Sequence, residues 1–198
     1  EQGSYLVGYA AALKSTSGKL GFIGGVRTDG IGKFEAGFKQ GALAANPSAT
    51  IEVKYASEPP DFSGFNDPAK GKTIAAAMYK SGIDVIYHAA GGTGAGLFAA
   101  AMESGKAAGE IWAIGVDSDQ YNSVAAENGQ EYILTSMLKR VDVATYEAMK
   151  AYVNGAPLSG TIRYDVSTDG VGYSASNSAI ADVADKLEVV KADIIAGT

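Results

Sequence analysis

Two patterns of apolar positions alternate along the chain. Short runs rich in β-branched and aromatic residues are followed by longer segments in which small and apolar residues recur at helical spacing. The strand-like runs are "KLGFIGG", "TIEVKYA", "IDVIYHAA", "IWAIGVD" and "YILTSML". The helical segments are Ser4–Ser15, Ile31–Asn46, Ala69–Ser81, Gly96–Gly105 and Arg140–Asn154. This alternation predicts an α/β fold with a mostly parallel sheet and helices on both faces.

Local signals support these elements. The run "DVIYHAA" is apolar at both side-chain parities, which predicts a central strand covered on two faces. Asp67 before Pro68 predicts a helix start, and Gly82 predicts where that helix has ended. After Gly155 the alternation weakens into short strands and turns, followed by a last helix near Ala179–Ala196.

Composition narrows the classes of protein that the chain can belong to. At 198 residues one α/β domain is expected, and no apolar run approaches the roughly 20 residues of a membrane helix, which predicts a soluble domain. The net charge of −6 and the lack of a basic cluster argue against a nucleic-acid partner. Without cysteine there is no disulfide or thiolate metal site. The opening "EQGSYLVGYAAAL" has the pattern of a helix interior, which suggests a piece of a longer protein.

Ligands of open parallel sheets bind beyond the carboxyl ends of the strands, so the segments after each strand-like run are the candidates. One is a glycine turn followed by a helix, which allows close backbone approach and directs free N–H groups at a ligand. Packing of the turn is the alternative explanation. The glycines of this turn are Gly91, Gly92, Gly94 and Gly96.

Three side chains fall in the same set of segments. Asp117 follows a strand directly, where its carboxylate could accept hydrogen bonds from sugar hydroxyls, or could simply cap a turn. Phe65 is a loop aromatic that could stack on a planar base or make a minor core contact. Lys139 ends a strand and could donate to a sugar oxygen, although most lysines are merely solvated.

Catalysis and metal binding have little support. His88, the only histidine, lies in an apolar strand without partners for a metal site, so a buried, hydrogen-bonded role is expected. Asp119 is expected to be structural, and Gln120 is compatible with either role. Strand, glycine turn, helix, strand and acid also outline a dinucleotide-binding unit in which Asp117 would hold a ribose. The turn lacks the G-x-G-x-x-G spacing, however, so this enzyme alternative ranks below a binding protein.

Several strings together resemble the basic membrane protein family, the substrate-binding lipoproteins of bacterial ABC importers that include purine-nucleoside receptors. The resemblance runs in order from Glu1 to about Gly197. It implies the type I periplasmic-binding-protein fold, in which two α/β lobes joined by three crossing segments close on a ligand. The strings are "EQGSYLVGYAAAL", "GKLGFIGG", "FEAGF", "FNDPAKGKTIA", "DVIYHAAGGTGAG", "IGVDSDQ" and "TSMLKRVD".

The resemblance also implies roles for individual residues. Phe65 would stack on a purine, Gly91 would contact the ribose through its backbone, and Asp117 and Lys139 would bond the ribose hydroxyls. Gly92, beside Gly91, is also expected among the ligand-binding residues. The implied protein is not an enzyme and needs no cofactor or metal. Its partners would be a purine nucleoside (adenosine, guanosine or inosine) and permease subunits, and its location the outer side of a bacterial membrane, held by a lipid anchor. A pentose receptor of the same fold remains the alternative, since Asp117 and Lys139 alone could serve a sugar.

Family members have a first half-lobe before the helix at which this chain begins, so most of the first lobe, the anchor cysteine and the base-reading residues are expected to be missing. Residues 1–134 would form the second lobe. Residues 135–160 would hold a crossing segment and a helix that normally packs on the first lobe. Residues 161–198 would hold return strands, with one near Thr161–Val166, and the C-terminal helix. Loss of its neighbours is expected to leave the helix after Arg140 with an exposed apolar face that favours self-association.

Overall fold

A computed structural model describes residues 1–197 and shows one six-stranded sheet with helices on both faces. The strand order is β2-β1-β3-β4-β5-β6; the pairs among β1 to β5 are parallel, and β6 is antiparallel to β5. The predicted fold class is confirmed. The strands are β1 (Lys19–Val26), β2 (Thr50–Ser57), β3 (Val85–Ala89), β4 (Trp112–Asp117), β5 (Ile133–Lys139) and β6 (Val171–Tyr173). The helices are α1 (Gln2–Lys14), α2 (Asp29–Ala45), α3 (Pro68–Lys80), α4 (Ala95–Met102), α5 (Gln120–Ser123), α6 (Val141–Val153) and α7 (Ala184–Ala196).

Two hydrophobic clusters lie on opposite faces of the sheet because side chains alternate along each strand. On one face α1, α2 and α7 cover residues such as Phe22 and Tyr87, and on the other α3 and α4 cover Ile23 and Ile86. All five residues of β3 are buried, so the prediction of a central strand from "DVIYHAA" is confirmed.

Helix boundaries follow local chemistry. Asp67 caps α3 by accepting a hydrogen bond from the Lys70 N–H at 2.9 Å, with Pro68 in the first turn, as predicted. Gly82 lies just beyond that helix with φ of +94°, a conformation that glycine adopts without strain. The glycine turn before α4 differs from expectation, because Gly91–Gly94 forms a turn of 3-10 helix that leads into the α-helix.

The region after α6 contradicts one expectation. The predicted strand near Thr161–Val166 is wrong: residues 161–165 have no regular secondary structure, and Val166–Thr168 is a 3-10 turn. The strand of this region is β6, which pairs with β5. Isoleucine and tyrosine in "TIRYDV" favour a strand, but within residues 1–197 no neighbouring strand pairs with residues 161–165. Residue 198, at the end of the predicted C-terminal segment, lies outside the described residues.

Helix α6 has no buried residue, and several of its large apolar side chains are exposed, with Tyr152 75% and Val153 81% exposed. The expected exposed apolar face after Arg140 is therefore present. Tyr146 and Met149 lie on the same helix and are exposed by more than half. Among residues 1–197, no helix combines the length and apolar character required to cross a bilayer.

Candidate functional site

The carboxyl ends of β1, β3, β4 and β5 meet at a cleft of about 260 Å³. The segment after β1 and the first turns of α2 form one side of it, and the segments after β2 and β3 and the last residues of β3, β4 and β5 form the rest. Four of the five predicted site residues line this cleft. The lining residues are Thr28, Gly30, Ile31, Phe34, Phe65, Ala89, Gly91, Val116, Asp117 and Lys139.

Phe65 lies in the 3-10 turn Ser63–Phe65 and is partly exposed. Its ring covers Gly25 at the end of β1, and a Cβ atom on Gly25 would collide with the ring edge. Gly25 thus leaves room for the Phe65 ring at the end of β1, because it has no side chain. The ring therefore packs closely against the backbone of Gly25, and Phe65 also lines the cleft, where it offers apolar surface.

The glycine turn is tied to the Phe65 loop by Thr93. The Thr93 hydroxyl donates to the Gly64 carbonyl at 2.7 Å and accepts from the Asp67 N–H at 2.8 Å. Gly91 has φ of +55°, and a Cβ there would lie 3.0 Å from the Phe65 carbonyl oxygen. Both the conformation and the close approach therefore favour glycine at this position. The hydrogen bonds of Thr93 thus hold two segments that are distant in the sequence together as one wall of the cleft.

Gly92 lies beside the cleft and not in its lining. It is exposed, and a Cβ on it would contact the Asn66 side-chain oxygen at 3.1 Å. The packing explanation thus accounts for part of the glycine turn, and Gly91 is the member of the turn that faces the cleft.

Asp117 and Lys139 end adjacent strands and form an ion pair in the lining of the cleft, with 2.7 Å between Nζ and Oδ1. Their side chains are 49% and 47% exposed, so both remain accessible to a ligand. A carboxylate accepts hydrogen bonds and an ammonium donates them, so the pair suits a ligand with adjacent hydroxyl groups, which do both. An exposed pair of this kind contributes only about 0–1 kcal/mol to folding.

Behind Asp117, His88 is fully buried and bonds through Nε2 to the side-chain oxygen of Gln120 at 2.9 Å. Burial lowers the pKa of His88 to about 4, against a smaller opposing effect of the Gln120 hydrogen bond. The expectation of a buried, hydrogen-bonded histidine is confirmed. Asp119 also lies outside the cleft lining, where its carboxylate accepts from Asn122 and Ser176, in agreement with a structural role.

The segment that forms the α2 wall is among the candidate segments after the strands, but none of its residues is a predicted site residue. Thr28 caps this helix by accepting from the Ile31 N–H, and Ile31 and Phe34 then face the cleft from its first turns. The position of this segment, "VRTDGIGKFEAG", indicates its place at the cleft, because it follows β1 and therefore lies at the same edge of the sheet. Its apolar residues Ile31 and Phe34 have the spacing of a helix face that packs on a core, so the sequence does not distinguish a core contact from a position at the cleft.

Within residues 1–197 no group of three or more histidine, cysteine, aspartate or glutamate side chains is arranged to hold a metal ion. The cleft instead combines an aromatic ring, a glycine backbone and one ion pair. These groups lie at the carboxyl ends of the parallel strands of a sheet that has helices on both faces. Those features define a small-molecule binding domain of the solute-binding α/β class.

Comparison with known proteins gives the family. A family model described as "ABC transporter substrate-binding protein PnrA-like" matches residues 1–197, and the chain belongs to this family. The predicted membership of the basic membrane protein family is confirmed. Because the family is one of substrate-binding components, the chain is not assigned as an enzyme, and the dinucleotide-dependent alternative loses its support.

Individual relatives agree. The "CD4+ T-cell-stimulating antigen" of Listeria monocytogenes is 44% identical over 98% of this chain and 55% of its own length. The "ABC transporter nucleoside-binding protein BmpA" of Lactococcus lactis is 38% identical over 99% of this chain and 56% of its own. A solved solute-binding protein of an Aeropyrum pernix ABC transporter system superposes with a TM-score of 0.77 at 26% identity, covering 99% of this chain and 62% of that protein.

The chain spans about half the length of the curated relatives that it matches. The family is one of extracytoplasmic transport components, which agrees in outline with the expected location.

Proposed function

We propose that this chain forms one wall of a purine-nucleoside-binding cleft in the substrate-binding component of an ABC importer. The observation that carries the proposal is the convergence of Phe65, Gly91, Asp117 and Lys139 on one cleft, although they come from four separate segments. The name of the Lactococcus relative, a nucleoside-binding protein, supports the same ligand class.

Each part of the cleft suits one part of a nucleoside. The Asp117 carboxylate accepts a hydrogen bond from a ribose hydroxyl, and the Lys139 ammonium donates one to a ribose oxygen. The two charges already satisfy each other at 2.7 Å, so the pair presents a preformed acceptor and donor side by side. The Gly91 backbone allows the sugar close approach, and the exposed part of the Phe65 ring stacks on the base.

The rest of the assembly is also proposed. In this account residues 1–134 are the second lobe, residues 135–160 cross toward a first lobe, and residues 161–198 return from it. The first lobe reads the base, a lipid anchor holds the protein at the membrane, and permease subunits receive the nucleoside. The exposed apolar residues of α6, including Tyr152 and Val153, suit a helix that packs on another lobe.

Calorimetric titration of the full-length protein with adenosine, guanosine, inosine and D-ribose tests the proposal. We expect at least one nucleoside to bind much more tightly than D-ribose, because the sugar alone leaves Phe65 without a partner. Absence of binding to all three nucleosides would overturn the proposal. Tight binding of D-ribose with no gain from a base would instead support the pentose receptor that Asp117 and Lys139 alone could serve.

A further inference from the structure

Asp117 has a backbone conformation that is unusual for a residue with a side chain. Its φ is +68°, and the Ser118 N–H donates to the Val116 carbonyl at 2.9 Å, which closes a three-residue turn around it. Turns of this hydrogen-bonding pattern with a positive φ at the middle residue are rare and strained. Such a conformation persists only where the surroundings hold it in place.

Gln120 connects the surroundings of this turn. Its side-chain oxygen accepts from the Val116 N–H at 2.8 Å, directly before Asp117, and from His88 Nε2 at 2.9 Å. Since a backbone N–H can only donate, the accepting atom is the amide oxygen, and His88 Nε2 therefore carries a proton. The Gln120 N–H in turn donates to the Ser136 hydroxyl at 3.1 Å. One residue thus joins β3, β4 and β5 behind the cleft.

The space around Gln120 is shaped for this contact. A Cβ on Gly115 would lie 2.6 Å from the Gln120 side-chain oxygen and 2.5 Å from the Ser136 hydroxyl, so a larger residue at 115 would displace the network. A Cβ on Gly94 would collide with the His88 ring, which is packed edge-on against Phe98. Two glycines therefore make room for a polar network that never reaches the cleft.

We propose that Gln120 is a positioning residue, held by His88 and Ser136, that fixes the strained turn at Asp117 so that the carboxylate faces the cleft beside Lys139. The inference rests on the proposed function insofar as Asp117 bonds a ribose. Gln120 itself does not line the cleft, so its effect on binding passes through the Asp117 backbone.

The test uses full-length protein and two changes at one position. Gln120→Met keeps the size of the side chain and removes the acceptor, whereas Gln120→Glu keeps an accepting oxygen. We expect Gln120→Met to weaken binding of a purine ribonucleoside about tenfold. Binding of its 2′,3′-dideoxy analogue, which lacks the hydroxyls that Asp117 would bond, is expected to stay within about twofold of wild type. Gln120→Glu is expected to restore most of the ribonucleoside affinity.

A double variant distinguishes a positioning role of Gln120 from a general role in the stability of the fold. In an Asp117→Ala background, Gln120→Met is expected to have no further effect on ribonucleoside affinity, because the group it positions is gone. Equal losses for both ligands, unchanged ribonucleoside binding in Gln120→Met, or a Gln120→Glu variant as weak as Gln120→Met would each overturn the proposal. If Gln120→Met does not fold, Ser136→Ala removes only the bond to the Gln120 N–H and is expected to show the same selective loss, about threefold.

A measurement without ligand keeps this proposal separate from the proposed function. Amide hydrogen exchange at Ser118 reports the turn itself, and we expect it to accelerate at least about tenfold in Gln120→Met and to stay near wild type in Gln120→Glu. Unchanged exchange in Gln120→Met would overturn the positioning role even if nucleosides bind. Accelerated exchange in a protein that binds no nucleoside would support the positioning role while the proposed function fails.

Discussion

Two phenylalanines on one loop, Phe62 and Phe65, provide a matched comparison. Phe65 lines the cleft, whereas Phe62, three positions earlier, is 58% exposed and does not. We expect Phe65→Ala to weaken nucleoside binding by at least about tenfold through loss of stacking, with little change in any binding of D-ribose. Phe62→Ala, measured by the same calorimetric titration, is expected to bind like wild type. Equal affinities for the two variants would remove Phe65 from the site.

His88 predicts how stability depends on pH. Its pKa is lowered to about 4 by burial, while the unfolded chain takes up the proton near pH 6.5, so falling pH favours unfolding in this window. The free energy of unfolding is expected to fall by about 2 kcal/mol between pH 7 and pH 5. Carboxyl groups with lowered pKa, such as Asp84, matter only at still lower pH.

Urea unfolding at several pH values measures this effect, and His88→Gln is the control because His88 is the only histidine of the chain. The variant is expected to lose much less stability over the same window, whatever its stability at pH 7. A wild-type free energy of unfolding that stays constant between pH 7 and pH 5 would contradict the buried neutral histidine.

Part of the candidate site can be predicted from the position of single residues in the sequence. Asp117 and Lys139 could be found because each directly follows or ends a strand, and the carboxyl ends of parallel strands share one edge. Gln120 could not be assigned, because its role depends on the order β3-β4-β5, which brings His88, Val116 and Ser136 around it. The contacts with His88 and Ser136 join residues that are distant in the sequence, so no local sequence pattern predicts them.

Helices α1 and α2 pack so closely that glycine is required between them. A Cβ on Gly41 would collide with the Tyr5 carbonyl oxygen of α1. Gly41→Ala is expected to lower the free energy of unfolding by about 2 kcal/mol, because backbone and not a flexible side chain must shift. Since α2 also forms the wall with Ile31 and Phe34, a displaced helix is expected to weaken ligand binding as well.

Gly32 is the matched control in the same helix, because no neighbouring segment lies within 4 Å of the position that a Cβ atom would take. Gly32→Ala is expected to raise the free energy of unfolding by about 0.5–1 kcal/mol, since alanine is the better helix former. Chemical denaturation of both variants measures the pair of effects. Similar changes for the two would show that the close contact of α1 and α2 is absent.

The order of the helices and strands is predicted from the sequence more accurately than the residues at which they begin and end. Helical spacing and strand-like runs located α1 to α4 and β1 to β5 because both faces of the sheet are covered, so each strand is apolar throughout or alternates clearly. The segment 161–165 was assigned wrongly because a β-rich composition forms a strand only where a partner edge is available.

For the whole molecule, the exposed apolar side chains of α6 predict the behaviour of the isolated chain. Tyr146, Met149, Tyr152 and Val153 are all exposed by more than half, which favours contact with a second surface. We expect residues 1–198 alone to self-associate in sedimentation velocity experiments and to bind nucleoside more weakly than the full-length protein, since one wall desolvates a ligand incompletely.

Replacing Met149 and Val153 with lysine is the control, because neither residue lines the cleft. The double variant is expected to sediment as a monomer at concentrations where the unmodified chain associates. A strictly monomeric wild-type chain, or submicromolar nucleoside affinity in the isolated chain, would contradict this part of the account.

We propose that the cleft at the carboxyl edge of the sheet holds a purine nucleoside, with its ribose at Asp117 and Lys139. A crystal structure of the full-length protein with a bound nucleoside would show where the nucleoside lies. We predict ribose hydroxyls within hydrogen-bonding distance of the Asp117 carboxylate and the Lys139 ammonium, and the base stacked on Phe65. A nucleoside bound elsewhere, or bound here with its ribose turned away from Asp117 and Lys139, would contradict the account.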